Sequence, residues 1–275
     1  MSELGFVPLV DTSRDELRER IALAHQRFDA LVRAADPAAR PPGHDWTVQQ
    51  ILAHVVTVGY RYRQLARGSD YHHATDPRDT VIVNQAELEA AMAPVPELAD
   101  ELQALSAELD GFFDTNTFFD DRPRFPFHAF GVVSGITGQT NWLGELVLHG
   151  EDIAQAAKVP WPLAERDMLL ILRGARELAP LYLRPDTAAC TNICVAVQIP
   201  EARPYVVRIH DGVAEMRERR VTDRPDAVLR ASAATLTQLL YHRIGPLIAT
   251  RRGLRIVGGR RPWVALRLMS HFEQV

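Results

Sequence analysis

The sequence predicts an α plus α/β fold, in which a four-helix bundle over residues 1–160 is followed by a small mixed α/β domain over residues 161–275. The first part contains long segments whose apolar residues recur at helical spacing, whereas the second contains short, alternating, β-branched segments. Between them, Pro160 and Pro162 close the preceding helix and mark a domain boundary. A chain of 275 residues is long enough to form two such domains.

The first two helices of the predicted bundle begin at recognisable capping sequences. Ser13-x-x-Glu16 is a capping box, and apolar residues then recur at helical spacing as far as Leu31. Thr47 and Gln50 form a second capping box, flanked by the apolar pair of a hydrophobic staple. This start fixes the direction in which His54 points from the second helix.

The third and fourth helices are predicted on either side of a long loop. Pro94-Val-Pro96 opens the third helix, and the fourth runs from about residue 140 to residue 157. Residues 118–138 interleave prolines and glycines with phenylalanines, which predicts a loop that either lines a pocket or packs as a lid over the core.

The second domain mixes helices with short strands. A helix is expected over residues 164–183, followed by strands at 193–199, 205–209, 213–217 and 227–231, with a turn at Asp211-Gly212. A helix at 234–241, an extended segment at 254–257 and a terminal helix at 264–269 complete the expected order.

Composition excludes several classes of protein. The 31 basic and 35 acidic residues give a net charge of −4, so we expect no nucleic-acid partner. No apolar run approaches the roughly 20 residues that cross a bilayer, and the amino terminus lacks the layout of a secretory signal. We therefore expect a soluble cytoplasmic protein without a membrane partner.

The chain has two cysteines, Cys190 and Cys194. They are too few for a disulfide framework and are expected as buried thiols.

The strongest functional signal is a set of three side chains on two predicted helices. Glu145 and His149 lie one turn apart on a face shared with Trp142, and His54 lies on an apolar face of the second helix. Taken singly, each residue has an ordinary explanation as a hydrogen-bonded core histidine or a surface pair. Together they offer two nitrogens and one carboxylate, which predicts a divalent metal site with an open coordination position.

Two motifs around these residues resemble a known family. Trp46-Thr-Val-x-x-Ile-Leu-Ala-His54 and Glu145-Leu-Val-Leu-His149-Gly-Glu-Asp152-Ile153-Ala154 are similar to the actinobacterial maleylpyruvate isomerase family of mycothiol-dependent enzymes, which belongs to the DinB-like four-helix metalloproteins. The segment from Asp226 to Val257 resembles the sterol-carrier-like carboxyl-terminal domain that is often attached to it.

The resemblance implies a site and a reaction. His54, Glu145 and His149 match the three zinc ligands, and Asp152 matches a recurrent position from which it can orient a ligand histidine or make a local contact. The implied cofactors are Zn²⁺ and mycothiol or a related low-molecular-weight thiol. The implied reaction is attack of a metal-bound thiolate on a small electrophilic substrate, by an isomerase or an S-transferase.

Other interpretations of the sequence remain open. Arg243 and Arg255 belong to a basic cluster in the last third of the chain, which is either a solvated face or a source of a ligand for a substrate carboxylate. Two histidines and one carboxylate also form the facial triad of non-haem iron oxygenases. A small-molecule carrier with an inert metal site is the non-enzymatic alternative.

Overall fold

The computed structural model describes residues 8–69, 73–114 and 131–273, and the backbone of residues 125–126. The chain divides into two compact units, one comprising residues 12–163 and the other Met1–Asp11 together with Ala164–Val275. The boundary after residue 163 lies close to the predicted boundary after residue 160. The first eleven residues, however, are grouped with the second unit rather than with the helices.

The first unit is built from four long helices. They are α1 (Arg14–Ala34), α2 (Val48–Ala66), α4 (Val95–Phe113) and α5 (Gly135–Ala157), with a shorter α3 (Thr80–Ala90) packed against α2. The most extensive helix contacts of this unit join α2 to α4 and α1 to α5. The side chain of Trp142, which is fully buried, lies in this core. Among the described helices, none is both long enough and apolar enough to span a bilayer.

Local hydrogen bonds explain where these helices begin. Ser13 accepts from the Glu16 N–H at the start of α1. Thr47 and Gln50 form a complete reciprocal capping box at the start of α2, as predicted. Ser134 caps α5, so this helix begins at Gly135, five residues before the predicted start at residue 140. The loop predicted over residues 118–138 therefore ends earlier, before Gly135. Most of the rest of this loop lies outside the described residues. Within it, β1 (Phe125–Pro126) pairs antiparallel with β2 (Val132–Val133).

Close contacts of α2 with α4 and α5 fix the position of its side chains along the bundle. A Cβ atom on Gly59 would lie 3.1 Å from Cδ1 of Leu105, so this glycine allows α2 and α4 to approach closely. Further along the same face of α2, the Tyr62 hydroxyl accepts a hydrogen bond of 3.2 Å from Nδ2 of Asn141 on α5. Helices α2 and α5 run antiparallel past this contact, which places His54 opposite the middle of α5.

The second unit contains a five-stranded sheet with strand order β5-β4-β3-β6-β7. The strands are β3 (Ile193–Gln198), β4 (Tyr205–His210), β5 (Val213–Glu218), β6 (Ala227–Arg230) and β7 (Arg255–Gly258). Strands β3 and β6 pair in parallel, and the other neighbours pair antiparallel. Asp211 and Gly212 form the predicted turn, both with positive φ values of 50° and 76°.

The second unit also contains helices. They are α6 (Glu165–Leu178), α7 (Pro185–Ala188), α8 (Ala233–Leu240) and α9 (Pro246–Arg251), with 3₁₀ turns at Ala179–Tyr182 and Pro262–His271. The predicted helix over 164–183 thus ends as an α-helix at Leu178, and the predicted terminal helix is a 3₁₀ helix.

Two sequence expectations about this unit were wrong. Cys190 is exposed and Cys194 is half-buried, so neither is the fully buried thiol that was expected. The amino-terminal segment leaves the helical unit because its backbone is bound elsewhere. The carbonyl of Leu9 accepts from the backbone N–H of Arg203, and the carbonyl of Val10 accepts from Nε of Arg173.

Candidate metal centre

The structure brings together the three side chains that the sequence singled out. Nε2 of His54 on α2 lies 3.5 Å from Oε2 of Glu145 on α5. The same carboxylate oxygen lies 3.3 Å from Nε2 of His149, one helical turn further along α5. One ligand atom from each residue lies within 4.8 Å of the other two. The cluster therefore forms one compact set of two nitrogens and a carboxylate.

The separations within the cluster suit a small cation. Zinc binds nitrogen and carboxylate oxygen at about 2.0–2.2 Å, and two ligands of a tetrahedral site are then about 3.4 Å apart. The observed separations of 3.3 and 3.5 Å between the nitrogens and the Glu145 oxygen match this value. The residues present thus fit a divalent metal with three protein ligands, and three ligands leave one tetrahedral position for a water or a substrate.

Different contacts hold the two histidines in place. Nδ1 of His149 lies 3.0 Å from Oδ2 of Asp152, so the other ring nitrogen is directed at the cluster. Asp152 is buried, in contrast to an ordinary acid on the surface of a helix. The His54 ring instead packs against Trp46, with ring centroids 4.9 Å apart. Nδ1 of His54 has no hydrogen-bond partner among the described residues, so packing orients this ring.

The buried surroundings give the three groups different proton affinities. Burial lowers the pKa of His54 to about 4, and the charge on His149 acts in the same direction. Burial also disfavours charge on His149, but hydrogen bonds to Asp152 and Glu145 outweigh it and raise the pKa of His149 to about 9. For Glu145, the two histidines outweigh burial and the pKa of the carboxyl is lowered. At neutral pH and without a metal, the positive charge of the cluster is therefore held by His149.

The structure adds a fourth residue that the sequence analysis did not single out. His44, in the turn before α2, offers a ring nitrogen within 4.8 Å of ligand atoms of His149 and Asp152. Its Nδ1 accepts a hydrogen bond of 3.0 Å from the Trp46 backbone N–H, and its ring lies 5.5 Å from the Trp46 ring. The available signal was the short spacing from His44 to Trp46 in the turn that leads into the ligand helix.

The two arginines suggested as substrate ligands lie in the second unit. Arg255 donates hydrogen bonds from Nη1 to the carbonyl oxygens of Thr250 and Leu254, at 2.6 and 2.9 Å. Its guanidinium is therefore engaged by its own loop. Arg243 is half-buried at the end of α8. A role for either residue towards substrate stays a prediction.

The fold and the site together define a class of protein. It is a two-unit chain whose helical unit carries two histidines and one carboxylate, arranged for a divalent metal with an open position. Residues 21–154 match the family described as the mycothiol maleylpyruvate isomerase N-terminal domain. This segment of the chain therefore belongs to that domain family. All three members of the cluster, and Asp152, lie inside the matched segment.

Comparison with solved structures supports the same fold. The crystal structure of the mycothiol-dependent maleylpyruvate isomerase is similar over 98% of this chain and 100% of its own, with a TM-score of 0.56 and 14% sequence identity. A variant of that enzyme with a histidine replaced by alanine matches over the same shares, with a TM-score of 0.55 and 14% identity. No curated protein matches the sequence.

Proposed function

We propose that this protein is a zinc-dependent enzyme that uses mycothiol, or a related low-molecular-weight thiol, either to isomerise a small electrophilic substrate or, as an S-transferase, to add the thiol to that substrate. The observation that carries the proposal is the convergence of His54, Glu145 and His149 within 4.8 Å, with Asp152 behind one of the histidines. The family matched by residues 21–154 supports the use of mycothiol and the assignment to the isomerase class. The helical unit would then be a DinB-like bundle and the second unit a sterol-carrier-like domain of a cytoplasmic enzyme.

In this proposal the chain's own residues build a fixed and largely buried set of ligands. His54, Glu145 and His149 hold the cation, which when bound lowers the pKa of a coordinated thiol and so supplies a thiolate at neutral pH. Asp152 keeps the proton of a neutral His149 on Nδ1, which leaves Nε2 free to bind. Burial of His54 keeps that imidazole neutral, since its pKa is about 4, and a neutral ring is the form that binds a metal.

The reaction class follows from an activated thiol beside a conjugated substrate. An isomerase of this kind forms a carbon–sulfur bond at one end of a conjugated cis double bond, and the π electron pair moves onto the conjugated carbonyl. Rotation about the new single bond follows. Return of the electron pair restores the double bond in the trans form and breaks the carbon–sulfur bond, so the thiol is regenerated. An S-transferase would retain the carbon–sulfur bond, and the carbon next to the carbonyl would take up the proton that the thiol had released.

The direct test is an assay with both reactants. The zinc-loaded protein is mixed with mycothiol and maleylpyruvate, and both the loss of the cis isomer and the concentration of free thiol are followed. Isomerisation with constant free thiol supports the isomerase, and stoichiometric loss of thiol supports the S-transferase. A panel of other conjugated electrophiles is screened in the same way.

A variant of the cluster and a matched control make this test specific. Glu145→Gln removes the anionic ligand and should lower kcat/KM by about 100-fold or more, because metal-assisted stabilisation of charge contributes several kcal/mol. His210→Gln changes a histidine at the end of β4 and should leave the rate unchanged. Equal rates in wild type and Glu145→Gln, or full activity with Fe²⁺ and oxygen but no thiol, would overturn the proposal.

A further inference from the structure

A concave site separate from the metal cluster lies within the carboxyl-terminal unit. A cavity of about 640 Å³ opens beside β3 and β4, which is within the range of small-molecule sites. Its lining is polar and rich in arginine, and consists of Asn192, Cys194, Arg208, Thr222, Asp223, Arg224, Asp226, Arg260 and Arg261. None of these residues belongs to the metal cluster.

The sheet explains how the floor of the cavity is assembled. Cys194 on β3 lies directly opposite Arg208 on the antiparallel strand β4. Asp226 immediately precedes β6, and its Oδ2 accepts a hydrogen bond of 3.0 Å from the Cys194 N–H. In return, the Asp226 N–H donates to the Cys194 carbonyl at 2.7 Å. The floor is thus fixed by the pairing of β3 with β4 and by two hydrogen bonds between Cys194 and Asp226.

Both acids of the cavity are already neutralised by arginine. Asp226 binds Arg261 through two oxygens, at 3.0 and 2.8 Å, and Arg260 at 2.9 Å. Asp223 makes a two-pronged pair with Arg217 at 2.8 and 2.7 Å. These pairs hold the pKa of both carboxyl groups below the usual value. Both acids therefore act as supports that position guanidinium groups.

Two other arginines of the lining lack such partners. Within the described part of the chain, Arg208 makes no hydrogen bond, and its nearest acid is Glu215 at 3.7 Å. Arg224 donates one hydrogen bond of 3.3 Å, to the Val221 carbonyl. Four arginines and two aspartates line the cavity, so the lining carries two positive charges in excess, although the whole chain has a net charge of −4. Several guanidinium groups thus line one concave surface, and those of Arg208 and Arg224 make no carboxylate hydrogen bond within the described residues.

We propose that this cavity binds a small dianion, either a dicarboxylate or a phosphate ester, through Arg208 and Arg224 together with the Asp226-supported Arg260 and Arg261. Guanidinium groups bind carboxylate and phosphate oxygens in pairs of parallel hydrogen bonds, which suits a ligand with two acidic oxygens at each end or with three on one phosphorus. The inference uses residues of the second unit alone, so it does not depend on the proposed thiol chemistry.

Cys194 supports the proposal and provides a means to test it. Burial raises the pKa of the Cys194 thiol, and the nearby Asp223 adds to this, so the sulfur carries no negative charge that would repel an anion. The chain contains one other cysteine, Cys190, which is exposed. In a Cys190→Ser protein, Cys194 is the single thiol, and its alkylation rate reports on the floor of the cavity.

The binding experiment uses the full chain and two probes of known structure. Inorganic phosphate and succinate are titrated by calorimetry at low ionic strength, with acetate as a singly charged control. Saturable binding of phosphate or succinate, stronger than that of acetate, is expected, and the tighter of the two identifies the source of the anion. Arg208→Gln and Arg224→Gln should each weaken binding by about ten-fold or more, because each removes a charge-assisted contact. Arg251→Gln, which changes an exposed arginine on α9 outside the lining, should leave it unchanged.

The thiol measurement locates the binding site. In Cys190→Ser protein, the tighter probe should slow the alkylation of Cys194 by iodoacetamide, with the same half-saturation as in calorimetry. The proposal is overturned if neither probe binds, if binding persists undiminished in Arg208→Gln and Arg224→Gln, or if saturating probe leaves the alkylation rate of Cys194 unchanged.

Discussion

Nδ1 of His149 lies 3.0 Å from Oδ2 of Asp152, while Nε2 of the same ring lies 3.3 Å from Oε2 of Glu145. One imidazole therefore links a carboxylate that faces the cluster to a carboxylate behind it. Such an outer carboxylate fixes the tautomer and the orientation of a histidine ligand and increases its basicity.

Replacement of Asp152 should weaken metal binding without removing a ligand. In Asp152→Asn, the amide no longer supplies a charged acceptor to Nδ1 of His149, so zinc affinity should fall about 10- to 100-fold. Competition against a chromophoric chelator measures this directly. Asp100→Asn is the matched control, because Asp100 is an exposed acid of α4 that pairs with Arg33. If both variants bind zinc equally well, Asp152 has no positioning role.

Metal binding should release a proton at neutral pH. The pKa of His149 is raised to about 9, so in the metal-free protein this ring is protonated at pH 7, and a metal must displace the proton. Because the pKa of His54 is about 4, that ring contributes no proton. Apparent zinc affinity should thus rise about ten-fold per pH unit from pH 7 to 9 and then level off. Calorimetry in buffers of different ionisation enthalpy counts the protons, and an enthalpy independent of buffer would refute this assignment.

The contact between Trp46 and His54 should be separable from the hydrogen bond of Trp46. Nε1 of Trp46 donates to Oε1 of Gln85 at 2.7 Å, while its ring packs on His54. Trp46→Phe keeps an aromatic ring beside His54 and should retain most of the zinc affinity. Trp46→Leu removes the ring and should weaken zinc binding by up to about ten-fold, as expected when an outer contact of a ligand is lost. Both variants lose the hydrogen bond to Gln85, so an equal loss of zinc affinity in the two would show that this bond matters more than the ring contact.

Gly150, which follows the ligand His149, should be intolerant of a side chain. A Cβ at this position would lie 2.2 Å from the ring of Trp161, whose Nε1 is anchored on the Val147 carbonyl at 3.0 Å. Gly150→Ala should therefore destabilise the protein by about 1–3 kcal/mol through overpacking. Gly111→Ala in α4 meets no atom within 4 Å and should stabilise it by about 0.5–1 kcal/mol. Urea unfolding compares the two, and a neutral Gly150→Ala would contradict the packing described.

Helical periodicity was sufficient to predict that His54, Glu145 and His149 face inward. It was also sufficient for the capping box of Thr47 and Gln50, since both signals are local. It failed at the start of α5, where Gly135 was assigned to a loop. Ser134 caps that helix through Thr137, and residues 134–140 are all buried, so tertiary packing compensates for glycine there.

The parts that the sequence did not predict depend on contacts between distant segments. His44 lies close to His149 and Asp152 of α5, and the local spacing from His44 to Trp46 does not by itself predict this contact between distant segments. The grouping of Leu9 and Val10 with the second unit accompanies hydrogen bonds from Arg203 and Arg173, which are distant in sequence. The cavity beside Cys194 is similarly formed by residues from three separate loops and two strands.

The most direct test of the central claim is to measure zinc content and mycothiol binding for the wild type and for His149→Ala. The account predicts about one zinc per wild-type chain, saturable binding of mycothiol by calorimetry, and loss of both in the variant. A wild-type protein that binds no divalent metal under conditions of zinc excess, or that binds mycothiol equally well without His149, would contradict it.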